Sequence, residues 1–155
     1  MEDFLTLGGE QTKKAGALFA KKILGKGFFD KKTIVIGLTG NLGGGKTTFV
    51  QGFAKGLGIE EKILSPTFVL ARRFLIPKAL GSKARALYHI DCYRMKNPKE
   101  LLDIGFEKMI SGAGNIVIAE WADRVKKIFP KDAFMVDFLF LEENKRRIRI
   151  KWGKQ

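Results

Sequence analysis

The sequence has few of the residues that build disulfides or metal centres. Its 155 residues include one cysteine, Cys92, and one histidine, His89. A single cysteine cannot form an internal disulfide, and these two side chains cannot supply the full ligand set of a zinc site. The chain begins Met1-Glu2-Asp3, which lacks the basic start of a secretory signal peptide. We therefore expect a reducing, cytoplasmic location.

Long hydrophobic runs and acidic residues are also scarce. The longest uncharged stretch, Thr33 to Gly45, spans 13 residues and is interrupted by glycines, whereas a membrane-spanning helix needs about 20 apolar residues. We therefore expect no contact with a membrane.

Acidic residues are outnumbered by basic ones. The chain has 16 acidic and 29 basic residues, which gives a net charge of +13. With 45% hydrophobic residues, the chain can form one core, and we predict a single domain over residues 1–155.

The positive charge is concentrated in two segments. Between Lys62 and Lys99 there are nine basic residues and one acid, Asp91, and from Asn144 to Gln155 there are six basic residues and no acid. Such runs are compatible with solvated loops and a basic tail, or with one face for an anionic partner. The sequence favours neither interpretation.

Hydrophobic periodicity predicts an α/β fold. Glu10 to Leu24 has apolar residues at helical spacing, and Lys32 to Thr39 is a β-branched run typical of a strand buried on both faces. A second helical pattern ends near Gly58. Further strand patterns predict a mixed, partly antiparallel sheet. Residues 68–76 and 84–92 form a predicted hairpin around an exposed loop at 77–83, and residues 115–119 form a single strand. A last hairpin of 133–141 with 146–152 is predicted at a sheet edge.

The glycine-rich segment between the first buried strand and the second helix has a specific pattern. Gly40-Asn41-Leu42-Gly43-Gly44-Gly45-Lys46-Thr47 matches G-x-x-x-x-G-K-[ST], here called the phosphate loop. Glycines let backbone N–H groups turn toward phosphate oxygens, and the helix N-terminus adds the positive end of its dipole. Lys46 then reaches the β- and γ-phosphates, and the Thr47 hydroxyl is suited to Mg²⁺. The motif predicts a three-layer, P-loop NTPase-like domain that binds ATP and Mg²⁺.

Two carboxylates end predicted strands and are candidates for the acidic group that such a site requires. Glu120 follows Ile116-Val117-Ile118-Ala119, the more apolar run and therefore the better central strand. We predict Glu120 as a Mg²⁺ ligand, directly or through water. Asp91 ends the other strand, where it could orient the attacking water or hold a metal-bound water.

Four segments in order resemble the bacterial TsaE proteins, also called YjeE. They are the phosphate loop extended to Thr48, the segment Ser65-Pro66-Thr67-Phe68, the segment Tyr88-His89-Ile90-Asp91-Cys92-Tyr93-Arg94, and the pair Glu120-Trp121. The likeness extends from about Gln11 to the last hairpin. This family comprises small P-loop ATPases required for N6-threonylcarbamoyladenosine in tRNA.

The resemblance assigns roles to individual residues. It implies that Asp91 and Lys46 are catalytic, that Thr47 and Glu120 hold Mg²⁺, and that Ser65–Phe68, here called the switch segment, closes over the nucleotide. Thr12 resembles a threonine that lies near the adenine. The implied nucleotide-binding residues are Thr12, Asn41, Leu42, Gly43, Gly44, Gly45, Lys46, Thr47, Thr48 and Thr67.

The resemblance also implies a biological role and partners. It predicts a slow, partner-dependent ATPase that cycles a complex of the proteins TsaD and TsaB, with tRNA as a further candidate partner for a basic face. Two alternatives remain open from the residues alone. A small-molecule kinase uses the same loop, with Arg72, Arg73 and the 77–83 loop as a lid, and an RNA-binding module would use the two basic segments.

Overall fold

The computed structural model describes residues 1–25, 32–78 and 83–153. Its strands and helices alternate along the chain for most of its length. The strands are β1 (Glu2–Thr6), β2 (Ile34–Gly40), β3 (Ala71–Leu75), β4 (Ala86–Asp91), β5 (Asn115–Glu120), β6 (Phe134–Glu142) and β7 (Lys145–Lys151). The helices are α1 (Gly9–Gly25), α2 (Lys46–Gly56), α3 (Lys99–Asp103), α4 (Phe106–Ser111) and a 3₁₀ helix (Ala122–Ile128).

The seven strands form one mixed sheet in the order β1-β7-β6-β2-β5-β4-β3. At its centre β2 pairs in parallel with β5 and with β6, and β5 pairs in parallel with β4. The outer pairings, of β3 with β4, β6 with β7 and β1 with β7, are antiparallel. Parallel strands end at the same edge of a sheet, so the carboxyl ends of β2, β4 and β5 lie side by side.

Helices cover both faces of this sheet. Alternation along β2 sends Ile34, Ile36 and Leu38 to one side, where they pack with α1, α2 and the inner side chains of β6 and β7. Val35 points to the other side, into a second apolar cluster formed with α3, α4 and the 3₁₀ helix. Burial on both faces accounts for the continuous apolar run of β2. The predicted α/β fold with a three-layer arrangement and a mixed sheet is confirmed.

Helices α1 and α2 cross at very short range, and glycine makes this possible. A Cβ added at Gly52 would overlap the backbone carbonyl of Lys13, and one at Gly16 would overlap the carbonyl of Phe49. At Gly56 an added Cβ would lie 2.7 Å from the carbonyl oxygen of Ala17. Backbone therefore packs directly on backbone, which fixes α2 and the loop that precedes it against α1.

Two of the strand predictions need correction. The last hairpin does not lie at a sheet edge, because β1, which the periodicity did not indicate, pairs with β7 and covers its outer side. The strand predicted from Phe68 begins only at Ala71, since residues 67–70 form a turn in which Leu70 has φ 64°. Of the exposed loop predicted at 77–83, residues 79–82 lie outside the described residues.

The two basic segments belong to opposite ends of the sheet. Arg72 and Arg73 lie on β3, the edge strand at one end, whereas Arg147 lies on β7, next to the other edge. These residues therefore do not form one basic face. None of the described helices is both long and apolar enough to cross a membrane.

Candidate nucleotide site at the carboxyl ends of the central strands

The phosphate loop connects β2 to α2 through glycines in left-handed conformations. Gly40 has φ 132°, Gly43 has φ 72° and Gly45 has φ 96°. Residues with a side chain rarely adopt such values, so the loop depends on glycine at these positions. Gly45 is the N-cap of α2 and has no capping side chain, so the first N–H groups of the helix remain available to an anion.

Lys46 lies at the centre of the loop. Its ammonium donates hydrogen bonds to the carbonyl oxygens of Gly40 at 2.6 Å and Asn41 at 2.8 Å. The same nitrogen lies 3.8 Å from the centroid of the Trp121 ring, a cation–π contact. Burial lowers the pKa of Lys46, while the nearby charges of Glu120, Asp123 and Asp91 act in the opposite direction. The cation is thus held beneath the loop among three carboxylates.

Thr47 and Glu120 form the second part of the site. The Thr47 hydroxyl lies 2.9 Å from each of the two carboxylate oxygens of Glu120. Glu120 also accepts from His89, whose Nε2 lies 2.8 Å from Oε1, one of the two oxygens that Thr47 contacts. His89 and Glu120 are both buried. The imidazole therefore helps to fix the carboxylate beside Thr47.

Asp91 is fixed by the switch segment. Its Oδ2 accepts hydrogen bonds from the hydroxyls of Ser65 and Thr67, each at 2.8 Å. Its Oδ1 accepts from the backbone N–H of Tyr93 at 2.8 Å. Asp91 also pairs with Glu120 in the parallel register of β4 and β5. The switch segment is thereby tied to a buried carboxylate beside the phosphate loop.

These parts surround one cleft of about 390 Å³. The predicted site residues that line it are Leu42, Gly43, Gly44, Gly45, Lys46, Thr47, Thr48, Thr67, Asp91 and Glu120. Two predicted residues do not line it. Asn41 is exposed and contributes its carbonyl to Lys46. Thr12 is fully buried below Gly45. Its hydroxyl donates to the Gly8 carbonyl and lies 3.2 Å from the hydroxyl of Thr6.

Trp121 and Arg146 also line the cleft. Trp121 has φ 59°, a left-handed backbone that places its ring against Lys46. Such strained residues cluster at functional sites. Arg146, on β7, belongs to the basic segment from Asn144 to Gln155 and is not among the predicted site residues. Its alternation with the buried Ile148 and Ile150 was the signal that it faces inward.

The donor set fits a nucleotide together with a magnesium ion. Backbone N–H groups, the Lys46 cation and the oxygens of Thr47, Glu120 and Asp91 all belong to residues that line the cleft. In the part of the chain that the structure describes, no cluster of three or more His, Cys, Asp or Glu side chains could hold a metal ion. Magnesium commonly takes only one or two protein oxygens and completes its shell with water and phosphate. Thr47 and Glu120 meet that requirement.

The lone thiol, Cys92, is predicted to be unreactive in the folded protein. It is fully buried next to Asp91, and burial together with that carboxylate raises its pKa to about 12. Because the thiolate is the reactive form, iodoacetamide at pH 8 should label the native chain at least about 100-fold more slowly than the chain in denaturant. Mass spectrometry of timed samples measures the rate. Labelling of the native chain at the denatured rate would contradict this environment.

The fold and the cleft define an α/β protein in which a glycine-rich turn leads from a central parallel strand into a helix. Residues 8–148 match the family described as "Threonylcarbamoyl adenosine biosynthesis protein TsaE". The chain belongs to this family, as its four sequence segments indicated.

Individual relatives agree with this assignment. Three carry the name "tRNA threonylcarbamoyladenosine biosynthesis protein TsaE". That of Treponema pallidum is 38% identical over 116 residues, 75% of this chain and 80% of the relative. That of Rickettsia typhi is 33% identical and covers 94% and 92% of the two chains. That of Bacillus subtilis is 33% identical and covers 92% and 80%.

A solved structure shares the fold. It is described as the crystal structure of YdiB from Bacillus subtilis, and it superposes with a TM-score of 0.74 at 27% identity. The match covers 99% of this chain and 86% of that chain. The similarity thus includes the outer strands as well as the central strand, loop and helix.

Proposed function

We propose that this chain binds and hydrolyses ATP with Mg²⁺, and that this activity serves the formation of N6-threonylcarbamoyladenosine in tRNA. The observation that carries the proposal is the convergence of Lys46, Thr47, Asp91 and Glu120 on one cleft beside the phosphate loop. A site of this kind positions the phosphates and stabilises their charge.

The contacts of each of these residues suit it to a particular role in binding or hydrolysing ATP. Lys46 and the loop N–H groups bind the β- and γ-phosphates, since the ammonium already lies below the loop carbonyls. Thr47 and Glu120 hold the metal ion, whose charge, when it is bound, offsets that of the transferring phosphate. Asp91 orients the attacking water and accepts its proton. Thr67 and Ser65, bonded to Asp91, place the switch segment over the terminal phosphate.

Exposed apolar residues around the cleft support the involvement of partner proteins. Leu42 at the tip of the phosphate loop is 77% exposed, and Phe68 in the switch segment is 83% exposed. The guanidinium of Arg94 lies 4.6 Å from the centroid of the Phe68 ring and is itself exposed. Large apolar side chains grouped at the edge of a site are typical of protein interfaces. The resemblance names TsaD and TsaB as these partners.

The phosphate-binding lysine gives the decisive test. Purified wild type and Lys46→Ala are incubated with γ-labelled ATP and Mg²⁺, with and without TsaD and TsaB, and phosphate release and tRNA modification are measured. The variant should lose about 100-fold or more of phosphate release, because the cation that offsets the phosphate charge is absent. Modification should fall in parallel.

Lys55→Ala is the matched control. Lys55 lies in the last turn of the same helix and is exposed, so this variant should behave as wild type. Full modification by Lys46→Ala would overturn the ATPase proposal. Transfer of the label from ATP to a small acceptor, in place of phosphate release, would indicate a kinase instead.

A further inference from the structure

One face of the sheet is covered by helices over only part of its width. On the side opposite α1 and α2, the apolar cluster beneath α3, α4 and the 3₁₀ helix takes side chains from β2, β4 and β5 but none from β1, β6 or β7. Alternation sends a second set of side chains from these three strands to that side. We call this set the open face, and its members are Asp3, Leu5, Met135, Asp137, Leu139, Arg147, Arg149 and Lys151.

The open face exposes apolar side chains in register. Leu5 of β1 and Leu139 of β6 both stand opposite Arg147 of β7. Leu5 is 54% exposed and Leu139 is 39% exposed. Two leucines in one row across three neighbouring strands form part of a surface that another element can cover.

A groove of about 420 Å³ runs along the border between the open face and the 3₁₀ helix. Phe129 and Pro130, which follow that helix, line it together with Met135 of β6. The groove therefore continues the apolar surface from the strands to the neighbouring helical layer. It has room for one large apolar side chain of an element that lies on the open face.

The strands of the open face carry more positive than negative charge. Arg147 and Arg149 share one carboxylate, that of Asp3, at 3.5 and 3.6 Å. Lys151 forms an ion pair with Asp137 at 2.9 Å. One of these three cations is therefore in excess over the carboxylates.

Two lysines of the groove add to this excess. Lys126 and Lys131 line the groove and are exposed. No carboxylate among the described residues forms an ion pair with either of them. The open face and the groove together hold five cations and two carboxylates. Charge complementarity therefore favours an acidic partner.

The dimensions of the open face fit one helix. Neighbouring strands lie about 4.8 Å apart, so β6 and β1, which flank β7, are separated by about 10 Å. A helix with its side chains has a diameter of about 10 Å. A helix lying along these strands, beside the 3₁₀ helix, would complete the helical layer on this side of the sheet.

We propose that the open face binds an amphipathic helix of a partner protein, with an apolar stripe against Leu5, Leu139 and Met135 and with carboxylates beside Lys126 and Lys131. None of these residues lines the nucleotide cleft, so the proposal does not rest on the proposed function. A protein helix is favoured over RNA, because leucines offer no flat ring on which a base can stack.

Titration of the full chain with a synthetic peptide tests the proposal. The probe is a capped peptide of about 18 residues, or five helical turns, with leucines at i, i+3, i+4 and i+7 spacing and with glutamate and alanine elsewhere. The peptide should shift the NMR signals of the methyl groups of Leu5, Leu139 and Met135 and leave those of Leu18, on α1, in place. A second peptide with lysine in place of glutamate should bind at least about 10-fold more weakly.

Two sets of variants locate the contacts. The double variant Lys126→Glu, Lys131→Glu should weaken the glutamate peptide by about 10-fold, because two attractive contacts become repulsive. Lys127→Glu is its matched control, since Lys127 is exposed on the same 3₁₀ helix but does not line the groove. Leu139→Ser should also weaken binding by about 10-fold through lost apolar contact. Leu18→Ser, which changes an exposed leucine on the other side of the sheet, should bind as wild type.

Several results would overturn the proposal. They are no binding of the glutamate peptide to wild type, equal binding of the lysine peptide, and methyl shifts confined to other surfaces. A dimer in analytical ultracentrifugation that Leu139→Ser dissociates would mean that a second copy of this chain covers the open face. Binding of labelled oligouridine that the double lysine variant abolishes would assign the face to RNA. Because the titration needs no nucleotide, its outcome is separate from that of the ATPase assay.

Discussion

Asp91→Asn is expected to reduce partner-stimulated ATP hydrolysis by about 10²- to 10⁴-fold, the contribution of a positioned general base. The asparagine side chain has the same shape and keeps one oxygen for the hydroxyls of Ser65 and Thr67, which now donate to Oδ2. What it loses is the negative charge and the basicity of the carboxylate. Nucleotide affinity should remain close to that of wild type.

Single-turnover release of labelled phosphate, with nucleotide binding measured on the same preparation, separates the two effects. Asp103→Asn provides the control, because Asp103 ends α3 and is exposed to solvent. The contrast with Glu120 is informative, since Glu120 contacts Thr47 directly and is proposed to hold the metal. Asp91→Asn that hydrolyses ATP at the wild-type rate would remove the proposed role of Asp91 and leave the binding roles of Lys46 and Thr47 untouched.

The central part of the site was predictable because its signals are local. The phosphate loop is contiguous in sequence, and the strand before it and the helix after it each have a clear apolar pattern. Asp91 and Glu120 were each predicted at the end of a strand, whereas their pairing as neighbours depends on the order of β4 and β5 in the sheet. Whether these residues act on ATP remains a proposal.

Other parts of the molecule depend on contacts between distant residues, and the sequence did not indicate them. Strand β1 has five residues, two of them acidic, so its alternation is too short to distinguish from a loop. The hydrogen bond from His89 to Glu120 requires the order of β4 and β5 to be known. The crossing of α1 over α2 follows from glycines that, in the sequence, only weaken the helical pattern.

Gly52→Ala should destabilise the fold by about 3 kcal/mol or more. Helix propensity alone predicts the opposite, because alanine in a helix interior is favoured over glycine by about 1 kcal/mol. The added methyl group would overlap the backbone carbonyl of Lys13, and backbone cannot move aside as a flexible side chain can. For a chain of this size the loss corresponds to a fall in the thermal midpoint of about 6 to 12 °C.

Urea unfolding followed by circular dichroism measures this effect, and Gly25→Ala is the matched control. Gly25 ends α1, and a Cβ there would meet no atom within 4 Å, so that variant should be as stable as wild type or slightly more so. Because α2 begins with Lys46, any shift that relieves the overlap at Gly52 also moves the phosphate loop relative to Thr12 and Arg146. Gly52→Ala should therefore also bind nucleotide more weakly at temperatures where it remains folded. A variant as stable as wild type would mean that the two helices can separate without cost, contrary to the direct backbone packing between them.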